Sequence, residues 1–167
     1  MLKNKKLVVV VGIIILAAGF IGVKKYFSYS DKVIPESSAL IEPLKSLMPP
    51  LQVEDFLRSK GLYFKVKEDS RLKENDPRPK FHIVSWEIEK FEHLGFQGSL
   101  IVIFFNDQLV STRFYPDLTT DYVGALNKSV NGSLVLNGSI SLPPKTELRY
   151  NKDIEEKQFL EWSDKEL

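Results

Sequence analysis

Leu100-Ile-Val-Ile-Phe-Phe-Asn-Asp-Gln-Leu-Val-Ser-Thr-Arg-Phe-Tyr115 is the stretch that decides the fold. Its first six residues are apolar, β-branched or aromatic, and the run has the length of a strand, not of a helix. Asn106-Asp107 supplies two residues that tolerate left-handed backbone, the requirement of a tight hairpin turn. Leu109–Tyr115 then returns as a second strand. Upstream, Phe81–Phe91 alternates so that Val84, Trp86 and Ile88 share one face, while Glu87 and Glu89 share the other. Together these segments predict a three-stranded antiparallel meander. Phe104 and Phe105 are adjacent, as are Phe114 and Tyr115, so each pair must point to opposite faces. Either the sheet is covered on both sides, the second by a helix, or one side carries an apolar patch that marks an interface.

Working outward, Pro116 ends the sheet. Asp117 is placed to cap a helix over Leu118–Asn127, with Leu118, Tyr122 and Leu126 on one face. Val130-Asn-Gly-Ser-Leu134 is then echoed by Leu136-Asn-Gly-Ser-Ile140. Each copy carries the Asn-Gly hairpin signal, and the spacing allows a loop with one hairpin, closed by Pro143-Pro144. Thr146–Tyr150 and Gln158–Trp162 are candidate strands joined by the charged turn Asn151–Lys157. On the other side of the meander, Leu51–Lys60 predicts a helix with Val53, Phe56 and Leu57 on one face and Gly61 at its C-terminal stop. Leu62–Val66 alternates as a strand, and Glu68–Lys80 reads as a charged, proline-ended loop. In Ser37–Met48 a helix must begin near Pro43 or be broken by it.

Leu7–Val23 is uncharged and mostly apolar, flanked by Lys3, Lys5, Lys6, Lys24 and Lys25. As a helix it spans about 25 Å, near the lower limit for a bilayer core. No small-residue cleavage site follows it, which favours a retained anchor over a removed signal. The expected organisation is a cytoplasmic tail (1–6), a transmembrane signal-anchor (7–23), a tether (24–36) and a domain (37–167). The lysine bias places the tail in the cytoplasm and the domain outside, at a bacterial inner membrane facing the periplasm. The expected fold class is α+β: a single N-terminal transmembrane helix, then one antiparallel-sheet domain with flanking helices. The order of a helix and a strand meander with the tight Phe105-Asn-Asp-Gln-Leu109 turn resembles small α+β envelope assembly modules of the BamE type. That resemblance covers a short part of the chain and transfers no residue and no role.

The chain has 23 basic and 22 acidic residues, and five of the lysines precede Tyr26. Residues 26–167 therefore hold 18 basic against 22 acidic, a net charge of −4. This is not the footprint of a nucleic-acid binder. The absence of cysteine excludes disulfides, a thiol nucleophile and a lipidated cysteine anchor. Asn127, Asn131 and Asn137 open formal glycosylation sequons, read here as turn chemistry.

No residue pattern calls for a cofactor or a metal. His82 and His93 end one expected strand, too far apart to share an ion, and His93 reads as a surface histidine in a turn. The leading function is a membrane-anchored, non-enzymatic protein-binding or assembly module, an accessory envelope or secretion component or an immunity-type protein. Phe105, Tyr115 and Trp162 are its candidate contact residues. One alternative is a membrane-tethered hydrolase of envelope polymers built on Glu87, Glu89 and His93. A second is a small-ligand or lipid-binding domain with a pocket between sheet and helix.

Overall fold

Asn106 and Asp107 both have left-handed backbone, φ 49° and 62°. They turn the chain between the two central strands as a two-residue hairpin, the geometry that matches natural strand twist. Around that hairpin, a computed structural model describes residues 37–73 and 75–167. The expected tail, membrane helix and tether (1–36) lie outside the described residues. Among the described residues no helix is long and apolar enough to cross a membrane.

The domain is α+β, a seven-stranded antiparallel sheet with two helices. The helices are α1 (Pro50–Ser59) and α2 (Thr119–Ser129). The strands are β1 (Phe64–Arg71), β2 (His82–His93), β3 (Phe96–Phe105), β4 (Gln108–Pro116), β5 (Gly138–Leu142), β6 (Thr146–Lys152) and β7 (Gln158–Asp164). Their order across the sheet is β1-β2-β3-β4-β7-β6-β5, and neighbouring strands pair antiparallel throughout. The meander thus supplies the centre. The C-terminal strands extend it because β7 pairs with β4, Leu160 opposite Phe114 and Trp162 opposite Thr112.

One face is the core. Ile88, Leu100, Val102, Phe104, Phe114, Leu148 and Leu160 are all buried there. Val53 and Leu57 of α1, Tyr122 and Leu126 of α2, and Leu40, Ile41 and Leu44 of the opening segment join the same cluster. Both helices stop by the same device. Gly61 (φ 66°) and Asn131 (φ 49°) follow the last turn in left-handed backbone. Their amides donate to the carbonyls of Arg58 and Lys128, and the amides of Leu62 and Gly132 donate to those of Leu57 and Asn127. This is the paired arrangement that satisfies orphan carbonyls at a helix end.

Several expectations need correction. Asn131-Gly132 ends α2, and neither Asn-Gly pair forms a strand-to-strand hairpin; β5 and β6 are joined through Pro143-Pro144 instead. Asp117 does not cap α2. Its amide donates to the Gln97 carbonyl at 3.0 Å, which holds it to the sheet, and the cap position falls to Leu118 without a side-chain bond. Leu118 is accordingly exposed. β1 continues to Arg71, into the expected loop, because Glu68–Arg71 pair with His82–Ser85. Residues 37–48 form no helix. They make a turn bridged between Ala39 and Lys45.

That opening segment is tied to the sheet by buried polar groups. The Ser46 hydroxyl donates to the Asp164 carboxylate at 2.7 Å, and the Ser38 amide donates to Ser46 Oγ. Burial would raise the Asp164 pKa, but the Glu166 amide and the Ser46 hydroxyl outweigh it and hold the carboxyl below its usual range. The Thr146 hydroxyl donates to the Ala39 carbonyl.

Gly98 sits opposite Pro116, and a Cβ there would lie 2.2 Å from the Tyr115 carbonyl oxygen. Backbone cannot yield cheaply at that distance. Gly98→Ala is expected to destabilise the domain by about 2 kcal/mol or more, read as a lower midpoint in urea unfolding. An unchanged midpoint would refute this packing of β3 against β4.

Candidate functional site

The second face of the sheet follows from strand alternation. Ser85 and Glu87 of β2, Ser99, Ile101, Ile103 and Phe105 of β3, and Ser111, Arg113 and Tyr115 of β4 point away from the core. So do Phe159, Glu161 and Ser163 of β7. Between them lies a cleft of about 830 Å³. Its floor is β3 and β4, with Ile101 buried and Ile103 and Tyr115 half-buried. One wall is Lys67, Glu68 and Glu87. The other is the β6–β7 turn from Asp153 to Gln158, and Pro116, Asp117 and Thr119 close one end. Thr119, the first residue of α2, is the only helical residue in the lining.

Under the cleft lies a fixed polar pair. Arg113 Nε is 2.8 Å from Glu161 Oε1, and the Ser111 hydroxyl donates to the same oxygen at 3.0 Å. Glu161 is nearly covered, and register sets it directly opposite Arg113. Cross-strand opposite charges of this kind stabilise a sheet. The Arg113 guanidinium also lies 5.4 Å from the centre of the Phe159 ring, and Phe159 packs against Tyr115. Burial and the Asp153 carboxylate push the Tyr115 hydroxyl pKa up, so this phenol stays neutral at physiological pH. Lys67 is 3.7 Å from Glu87, and Lys157 is 2.8 Å from Glu155.

The three candidate contact residues separate. Phe105 is 43% exposed and Tyr115 half-buried, both on the cleft face. Trp162 is 3% exposed in the core. As an accessible contact it is excluded, because its even position on β7 points it toward the helices.

The groups named for hydrolysis separate as well. Glu87 and Glu89 are on the cleft side, and the Glu89 carboxylate is 2.6 Å from Lys65. His93 is on the other side. Ile88 pairs with Leu100 but Phe91 with Gly98, so β2 holds one extra residue between them. Lys90 takes up that residue with φ 56°. The bulge reverses the alternation and turns Phe91 and His93 into the core. His93 is therefore not a surface turn residue. Its ring packs edge-on against Phe114 and Trp162. Its Nδ1 is 2.7 Å from the Tyr122 hydroxyl. At the far end of β2, His82 Nε2 is 2.9 Å from Asp69. No cluster of His and acidic residues among the described residues could hold a metal.

Of the residues that shape the cleft, Ser85, Arg113, Asp153 and Lys157 were not singled out by sequence reasoning, and Asp117 was read only as a helix cap. Only the alternation of Arg113 with Phe114 hinted at a charged position on a covered strand. Nothing local announces that Glu161 lies opposite it. Compared with known proteins, the chain matches no family model and no curated protein.

Burial lowers the His93 pKa from 6.5 to about 4. The unfolded chain therefore binds this proton more readily than the folded one between those values. The stability His93 allows is complete above pH 6.5 and is lost as pH falls toward 4, with a size of about 2 kcal/mol. Wild type should lose that much more unfolding free energy than His93→Gln between pH 7 and pH 4.5. Parallel pH profiles would show that the ring is not desolvated.

Proposed function

We propose that this chain is a non-enzymatic protein-binding or assembly module that docks a partner on the helix-free face of its sheet. The observation that carries the reading is the two-sided apolar character of β3. Leu100, Val102 and Phe104 are packed under the helices, whereas Ile101 and Ile103 line a cleft and Phe105 is exposed on the same face. Apolar side chains at the centre of a face that no helix covers suit an interface core, and the surrounding ion pairs suit its polar rim.

The Leu7–Val23 run adds a location: a single-pass anchor with the domain on the extracytoplasmic side, as an accessory part of an envelope or secretion machine or as an immunity-type protein. The opening residues of the domain support access to the cleft. They are tied to Asp164 at the end of β7, and the turn that walls the cleft leads into β7 at Gln158. Six residue steps of strand, about 20 Å, separate the two ends. Hydrolysis draws no support from the geometry, since the sheet stands between His93 and the two glutamates.

Cross-linking of the full chain in its own cells tests this reading. One partner in near-stoichiometric yield is expected. Phe105→Glu or Tyr115→Glu should cut its recovery at least tenfold at unchanged protein level, and Glu89→Ala should leave it intact. Full recovery with both aromatic variants would remove the cleft face as the docking surface.

A further inference from the structure

The charges of the cleft do not balance. Its lining holds three cations, Lys67, Arg113 and Lys157, and five carboxylates. Each cation already has an acidic partner, respectively Glu87, Glu161 and Glu155. Three lining carboxylates, Glu68, Asp117 and Asp153, form no ion pair among the described residues. Glu68 receives the Ser70 hydroxyl, and Asp153 receives the amides of its own turn and the Tyr115 hydroxyl. A concave surface with low-dielectric walls focuses such an excess into a negative potential, which draws cations and repels anions.

A second feature is independent of that charge. Ser85 lines the cleft at 6% exposure, and its hydroxyl has no hydrogen-bond partner among the described residues. Unlike the Ser38 and Thr112 hydroxyls, which are enclosed without a partner, it stays open to the cleft. It lies in the floor beside the β1–β2 wall, where a guest in the cleft could bond it. The apolar floor from Ser99 to Ile103 runs about 13 Å, the length of some four extended residues.

We infer that the cleft receives an extended, lysine- or arginine-bearing segment of a partner protein. This rests on the reading of the helix-free face as the docking surface and names what docks there. The segment's apolar groups lie on Ile101, Ile103 and the Tyr115 ring. Its backbone meets the Ser85 hydroxyl, and its cationic side chains reach Glu68, Asp117 and Asp153. The uncompensated carboxylates disfavour anionic lipid headgroups and nucleic acid. Charge matching of this kind raises association rate and selectivity more than bulk affinity.

The test is selection of a random-sequence peptide library, displayed on phage, against the full chain in detergent micelles. Ser99→Trp, which fills the cleft, serves as the counter-target. Enriched peptides are expected to be rich in Lys and Arg and to fail on Ser99→Trp. They should bind at least tenfold more weakly to the double variant Glu68→Gln/Asp117→Asn, and lose affinity as salt rises from about 50 to 300 mM. Ser85→Ala should weaken them without changing the salt response. Peptides that depend on the cleft but are neutral or acidic, or that bind the double variant unchanged, overturn the inference and leave the docking face standing. Peptides indifferent to Ser99→Trp, or none enriched, overturn both.

Discussion

A sheet with helices on one side only imposes a parity constraint on every strand. Successive side chains alternate between faces, so each strand must keep its large apolar residues in step with its neighbours. Here the step is reset three times. β1 holds an extra residue between Val66 and Glu68, β2 between Ile88 and Phe91, and β4 between Ser111 and Leu109. Each reset preserves the core under the helices. Without the one at Lys90, Phe91 and His93 would lie on the cleft side and the aromatic group around Tyr122 would lose two rings.

The same constraint makes the cleft. Once Leu100, Val102 and Phe104 are committed to the helices, Ile101, Ile103 and Phe105 have no choice of face. Along that row Ile101 is buried, Ile103 half-buried and Phe105 exposed. Arg113 and Glu161 fix the floor by pairing across β4 and β7, while Asp153 and Lys157 stand above it on a turn. Apolar packing and surface charge are therefore divided between the faces of one sheet. The core face has few polar groups, and one of them, the Thr112 hydroxyl, is buried without a hydrogen-bond partner among the described residues. The other face combines apolar floor with charge, as transient interfaces do.

His93 illustrates how far burial can move a residue from its expected role. In the sequence it follows Glu92 in an apparent turn, an ordinary surface setting. In the fold its ring is enclosed by Phe114, Tyr122 and Trp162. Desolvation keeps it neutral, so it serves packing and a single hydrogen bond to Tyr122.

The sequence by itself determined the elements whose signal is local. The meander from Phe81 to Tyr115, the Asn106-Asp107 turn, the helix before Gly61 and the strands after Pro144 were legible, because alternation and turn chemistry act between near neighbours. The α+β class follows from them. Tertiary structure decided what depends on residues far apart in the chain. Pairing of β4 with β7 brought Glu161 opposite Arg113, and the Gln97–Asp117 bond took away the expected helix cap. Bulges set by partner strands moved His93 to the core, and register carried Trp162 there too. The cleft belongs to this second class, since its two walls come from segments, Lys67–Glu87 and Asp153–Gln158, that are far apart in the chain. Only the pairing order of the strands makes them one surface.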